Sequence, residues 1–349
     1  MIRIYTLERA KEWDELVRTF EHYDVYYLAG YVKAFWLNGD GEPILIYYER
    51  GETRAINVVF RRDLSQCKFF RETLEQSAFY DFVTPYGYGG FLVEGTDYGR
   101  LQEEYEEFCR QEHIVCEFVR FHPLLENWKG LEQLYTETYM GMTVYMDTCS
   151  EEEIWNNITS KNRNMIRKAK KSGLKVYWGR YPELIEPFME IYNAAMDKDG
   201  AKDYYYFGKE FYESILEDLK QNAMWFYAKE EKEIAAIAIF LFGNENMHYH
   251  LSASRAEFQR MAPTNLLLYE AALWAGRNGY KKLHMGGGVG SAQDSLYKFK
   301  KSFHRGTDAR FCVGKKIFDR GTYDELVEIR KAQDALFDDH SEFFPRYRA

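Results

Sequence analysis

The run from Met224 to Gly287, MWFYAKEEKEIAAIAIFLFGNENMHYHLSASRAEFQRMAPTNLLLYEAALWAGRNGYKKLHMGG, decides the fold. Two apolar, aromatic-rich segments, MWFYAKE and EIAAIAIFLFG, flank the polar turn EEKE and read as a β-hairpin. MHYHLSA reads as a third strand, Pro263 to about Asn278 as a helix, and KKLHMGG as a closing strand. The helix is well punctuated. Pro263 stands where a first-turn proline is tolerated, Leu266, Leu267, Tyr269, Glu270, Leu273 and Trp274 form a helical stripe, and Gly279 follows at the expected C-terminal cap.

The same order recurs upstream. EPILIYYE and TRAINVVFRR form a hairpin around ERGE, followed by the strand-like FYDFV, the glycine-rich YGYGGF, a helix from about Asp97 to Glu112 and the strand IVCEFVRF. Helical segments precede each copy, around Ala10 to Phe20 in the first, and Glu183 to Met196 with Lys209 to Gln221 in the second. Residues agree poorly between the copies while the elements agree well, the signature of an old duplication. The expected fold class is therefore α/β, an α+β mixed sheet in each of two domains. The expected bounds are residues 1–148 and 149–320, with residues 321–349 as a C-terminal helix and tail outside the repeat.

Bulk composition narrows the function. The chain has 349 residues, 46% of them apolar, with 29 Tyr and 25 Phe, enough for two well-packed cores. Its formal net charge of −9 argues against adhesion of the whole surface to nucleic acid or membrane, so an anionic partner must meet a local patch. Such a patch exists: between Lys161 and Lys175 stand seven basic side chains and no acidic one. The spacing of Ile158, Met165, Ile166 and Ala169 makes this a short amphipathic helix ending at Gly173. The five Cys have no zinc or C-x-x-C spacing and read as reduced thiols of a cytoplasmic protein. No secretory leader or long apolar span is legible. His248 and His250 alternate in HYHL without nearby Cys or carboxylate partners, and read as strand residues rather than a metal pair.

Four separated stretches carry a family resemblance: SKNRNMIRKAKKSGLKV, YNAAMDKDGAKDYYYFGKEFYESIL, the run from His248 to Gly288, and DSLYKFKKSFH. Together they resemble the Fem-type (FemABX-like) aminoacyltransferases of peptidoglycan bridge synthesis, within the GCN5-related N-acetyltransferase (GNAT) fold superfamily. The resemblance covers roughly Ile154 to Phe318; the first 150 residues match only in element order. It implies tandem GNAT-like domains. It also implies an acyltransferase, most directly one moving an aminoacyl group from charged tRNA to an amine of a nucleotide-linked cell-wall precursor, with no cofactor beyond the donor substrate. Two other readings stay open: an acyl-CoA-dependent N-acyltransferase acting on an amino sugar or small amine, and a non-catalytic precursor- or tRNA-binding protein. One departure bears on the donor. Acetyl-CoA enzymes of this fold hold the pyrophosphate on a Q/R-x-x-G-x-G/A loop, and the equivalent QRMAPT has Ala262 and Pro263 where glycine allows close approach.

Residue roles follow from the same resemblance. Phe299 and Lys300 align with the Phe-Lys pair of the family motif, and the Lys300 ammonium is the expected stabiliser of charge developing as the amine attacks the ester. Lys161, Arg163 and Arg167 are either phosphate ligands or a solvated helix face. Tyr204, Tyr205 and Tyr249 are candidate acceptor-cleft residues. No general base stands out among Asp197, Asp199 and Asp294. MGGGVG lacks both P-loop and dinucleotide-loop spacing and reads as a turn allowing close approach.

Overall fold

The computed structural model describes residues 1–349. In chain order the elements are β1 (Ile2–Tyr5), α1 (Ala10–Val17), α2 (Ala29–Leu37), β2 (Glu42–Arg50), β3 (Thr53–Asp63), β4 (Tyr80–Val83), β5 (Leu92–Glu94), α3 (Tyr98–Gln111) and β6 (Ile114–Arg120). There follow β7 (Thr136–Asp147), α4 (Glu151–Asn157), α5 (Ser160–Lys171), β8 (Lys175–Gly179), α6 (Ile185–Asp199), α7 (Lys209–Asp218), β9 (Ala223–Glu230) and β10 (Glu233–Gly243). The chain closes with β11 (Asn246–Ser254), α8 (Pro263–Arg277), β12 (Lys282–Gly286), α9 (Ser295–Lys301), β13 (Ala309–Ile317) and α10 (Arg320–Gln333).

The chain forms two compact units: Met1–His22, Tyr26–Met140 and Phe311–Ala349 make the first, Tyr23–Val25 and Gly141–Arg310 the second. Both have the expected hairpin–strand–helix–strand order and the same sheet. In the first the strands run β1-β2-β3-β4-β6, with β4 and β6 parallel and the other neighbours antiparallel. In the second they run β8-β9-β10-β11-β12, with β11 and β12 the parallel pair.

The sixth strand is where the expected bounds fail. β7 pairs antiparallel with β12 of the second unit, although in sequence it follows the first copy. β13, in sequence the end of the second copy, pairs antiparallel with β6 of the first. Each unit thus takes its sixth strand from the segment expected in the other. The C-terminal helix does not pack outside the repeat either. Tyr323, Leu326 and Val327 of α10 are buried with Leu64, Phe70, Val115 and Tyr347 in a core cluster of the first unit.

In the second unit β10 is buried along nearly its whole length, as its unbroken apolar run requires of a central strand covered on both faces. Neighbouring residues of β9 show which helix covers which face: Trp225 meets Phe188 of α6, while Phe226 meets Trp274 of α8. α5 packs on α8 through buried Ile166 and Ala169. Its start is capped by the Thr159 hydroxyl, which accepts from the Asn162 N–H at 3.4 Å, and Gly173 with φ +89° ends it.

Candidate active site

The parallel pairing of β11 with β12 lasts only from Asn246 to His248 against Lys282 to His284. On its other side β11 slips register against β10, with Ile239 opposite Leu251 but Phe240 opposite Tyr249, so His250 is an extra, bulged residue. A bulge bends and twists its strand, and here it carries the rest of β11 away from β12. A cleft of about 680 Å³ lies at the diverging end, lined by Tyr249 and Ser252 to Ser254 of β11, residues of α6, the start of α8, and Leu296 and Phe299 of α9.

The start of α8 forms one wall of the cleft. Ala262 holds φ +57° and ψ +49°, the left-handed conformation that glycine occupies without strain, and Pro263 is the first helical residue. No side chain caps this fifteen-residue helix, so the first-turn N–H groups of Thr264 and Asn265, both cleft residues, keep their donor capacity at the positive helix end. The corresponding helix of the first unit, α3, is capped: the Asp97 carboxylate accepts from the Arg100 N–H at 3.1 Å. The first unit therefore lacks the uncapped helix end that the second unit turns to its cleft.

Behind the cleft wall, Lys300 is 9% exposed and its Nζ donates to the Gly287 carbonyl at 2.6 Å. Burial lowers its pKa to about 8, against the opposing charge of Asp294. Its basic neighbours differ: Lys301 pairs with Asp308 at 2.6 Å, and Lys298 is exposed. Asp294 caps α9, accepting from the Tyr297 N–H at 2.9 Å and the Val289 N–H at 3.1 Å, and these backbone bonds lower its pKa. Asp197 accepts from the Tyr206 hydroxyl at 2.7 Å, and Asp199 lines the cleft. Arg255 and Glu190 pair at 2.9 Å on the rim.

Of the residues singled out in the sequence, Tyr249 and Phe299 come together in the cleft; Lys300 adjoins it from behind, facing the glycine turn after β12. Tyr204 and Tyr205 sit apart in a single turn of 3-10 helix, edge to face at 5.4 Å, and are not among the cleft residues. The Arg163 and Arg167 guanidiniums lie 6.0 and 5.1 Å from the Trp155 ring, and Arg167 also bonds Asn164 at 3.0 Å. Lys161 is exposed on the same helix. Sequence reasoning missed the buried group of Asp24, His248, His284 and Thr143. The alternation in HYHL was the one signal for it, since the partners stand far apart in sequence.

Residues 159–301 match the family described as Acetyltransferase (GNAT) domain. The second unit carries a GNAT acyltransferase domain. The protein is thus an acyltransferase whose GNAT domain lies in the second unit, and the chain shares the fold of FemX. The crystal structure of FemX superposes with a TM-score of 0.68 at 16% identity, covering 93% of this chain and 99% of FemX. The C-terminal domain of a putative lysylphosphatidylglycerol synthetase from Agrobacterium fabrum gives a TM-score of 0.56 at 13% identity, covering 88% of this chain and 91% of that one. L-PGS from Bacillus licheniformis gives 0.54 at 13% identity, with 85% and 90% covered. At these identities the likeness is one of fold. No curated protein matches the chain in sequence.

Proposed function

We propose that the GNAT acyltransferase domain moves an aminoacyl group from a charged tRNA to an amine of a nucleotide-linked cell-wall precursor. The observation that carries this reading is the Ala262–Pro263 pair at the start of α8. A CoA pyrophosphate needs several converging N–H groups and close backbone approach. Here the turn keeps its left-handed shape but carries a methyl group, and the next residue has no N–H. An aminoacyl ester on a terminal ribose brings no pyrophosphate and loses nothing by the substitution. Two fold relatives add support: FemX by its family, and the lysylphosphatidylglycerol synthetase, whose name records a lysyl group joined to a lipid.

In this reading the amine attacks the ester carbonyl, the N–C bond forms, the C–O bond breaks, and the ribose hydroxyl leaves. Lys300 supplies positive charge to the developing oxyanion from beneath the glycine turn, and Phe299 and Tyr249 bound the acyl group. Lys161, Arg163 and Arg167 on α5 meet phosphates of the RNA donor. Both substrates are consumed directly, so the reaction needs no cofactor, and a charged-tRNA donor assigns it to the cytoplasm.

One observation favours a second reading. The uncapped N–H groups of Thr264 and Asn265 suit an anion, so an acyl-CoA donor acylating an amino sugar or small amine remains the rival. Calorimetry with acetyl-CoA separates the two. The aminoacyl reading expects no heat of binding at millimolar acetyl-CoA and binding of a hydrolysis-resistant aminoacyl-tRNA; tight acetyl-CoA binding reverses the assignment.

A further inference from the structure

We propose that Asp24, His248, His284 and Thr143 form a proton relay serving acyl transfer in the second unit. The proposal rests on the transferase reading of the adjoining cleft. The four side chains are at most 2% exposed. Asp24 arrives on the short segment Tyr23–Val25, which belongs to the second unit, and Gly243 makes room for it: a Cβ there would lie 2.7 Å from the Val25 N atom. The Asp24 oxygens accept from the Val25 N–H at 2.6 Å, from Asn246 Nδ2 at 3.0 Å and from His248 Nε2 at 2.8 Å. This acceptor-only pattern puts a hydrogen on His248 Nε2. The remaining links run from His248 Nδ1 to His284 Nδ1 at 3.4 Å, and from His284 Nε2 to Thr143 Oγ1 at 2.8 Å.

Placement joins this chain to the reaction. His248 and His284 are the last cross-strand pair before β11 and β12 part. Thr143 lies under the glycine turn that follows, since a Cβ on Gly287 would stand 3.8 Å from its Cγ2, and the Gly287 carbonyl is the group that holds Lys300. The relay and the ammonium thus converge on one turn. A buried polar chain of this length is destabilising unless every member is satisfied, and an apolar pair would serve packing better.

The atoms balance. At rest Thr143 donates to His284 Nε2, and His284 donates from Nδ1 to His248 Nδ1. As the N–C bond forms, Thr143 takes the amine's proton while passing its own to His284 Nε2, and His284 passes its Nδ1 proton to His248, whose imidazolium faces Asp24. As the C–O bond breaks, the same shifts run backwards and protonate the leaving alkoxide. His250, the bulge residue, is held neutral by burial, which lowers its pKa to about 3, so it does not compete for the proton.

Two measurements on the full chain test this. With whichever donor the wild type turns over, Thr143→Val, which keeps shape but removes the hydroxyl, should lower kcat at least about 100-fold with donor KM within about twofold, while Thr143→Ser stays within about fivefold of wild type. Retained kcat in Thr143→Val, or equal losses in both variants, overturns the relay. Independently of any donor, [15N]histidine NMR should show a scalar coupling across the hydrogen bond between the two Nδ1 atoms; its absence also overturns it. A wild type that turns over no aminoacyl-tRNA or acyl-CoA sinks the transferase reading, and the coupling alone then decides whether the chain shares a proton.

Discussion

Lys300 is a lysine whose ammonium is held against a backbone carbonyl in a buried site, with its pKa lowered to about 8 by that burial. If the ammonium stabilises the oxyanion, kcat of the wild type should fall as the pH rises through about 8. Lys300→Met should lower kcat roughly 100-fold and abolish that limb, whereas Lys298→Met and Lys301→Met should do neither. Equal, small losses in all three remove Lys300 from the mechanism. The linked stability effect has a definite sign. Below about 8 the folded and unfolded chains both carry the proton and the penalty of burying the charge is complete; it fades as the pH climbs toward the ordinary value of 10.5. Glu117 of the first unit shows the mirror case. Its pKa is pushed to about 7 by burial, against hydrogen bonds from Tyr135, Asn57 and Tyr105. The folded value exceeds the ordinary 4.5, so the stability this group contributes is complete below 4.5 and is lost as the pH rises through about 7. In Glu117→Gln the new amide can donate to Asn57 Oδ1, a buried oxygen without a partner, once the Asn57 amide flips. Thermal melts should therefore place the variant above wild type at pH 8 and close to it at pH 5. An offset that is the same at both pH values refutes this.

At the scale of elements, α5 carries the basic patch of the second unit. Arg163 and Arg167 lie against the Trp155 ring, with Arg167 still exposed, and Lys161, Lys168 and Lys171 are exposed beside them. If an RNA donor docks along this helix, replacing those three lysines with Gln should reduce the slope of log K against log salt by about 2–3, since each phosphate contact contributes about 0.9. An unchanged slope returns the helix to solvated surface. Elements of this kind were legible in the sequence: the hairpins around ERGE and EEKE, the Pro263-to-Gly279 helix and the basic helix ending at Gly173 are set by local periodicity and turn chemistry. The exchange of β7 and β13 was not, because a strand's pattern fixes its faces and leaves its partner open. Phe299 and Tyr249, both singled out in the sequence, line the cleft. The burial of Lys300 and the link of His248 to His284 and Asp24 depend on strand register and on a segment more than two hundred residues away, which no local pattern encodes.

For the whole molecule, two units of one strand order differ at the parallel pair and at the start of the helix between its strands. The second keeps the splayed parallel pair and the uncapped helix; in the first, β4 and β6 stay paired from Tyr80 to Val83 and α3 is capped. The first unit is completed by the chain's last segment. Arg348 donates to fully buried Asp81 at 2.6 and 3.1 Å, with Arg62 at 2.7 Å and the Tyr347 hydroxyl at 2.9 Å as further donors. Burial raises the Asp81 pKa, but Arg348 and Arg62 outweigh it and hold the carboxyl below its ordinary value. Because Arg62 remains, Arg348→Met should destabilise the chain by about 2–3 kcal/mol, less than the 3–5 kcal/mol typical when a buried charge loses its only partner. Denaturant melts showing a loss under about 1 kcal/mol would mean the last segment is not a structural part of the unit. The central claim, aminoacyl transfer by the second unit, is met most directly by incubating the protein with a panel of radiolabelled aminoacyl-tRNAs and acyl-CoAs and a nucleotide-linked cell-wall precursor, then recovering the labelled acceptor. The account predicts label on the precursor amine from an aminoacyl-tRNA and none from any acyl-CoA; label arriving from an acyl-CoA alone would contradict it.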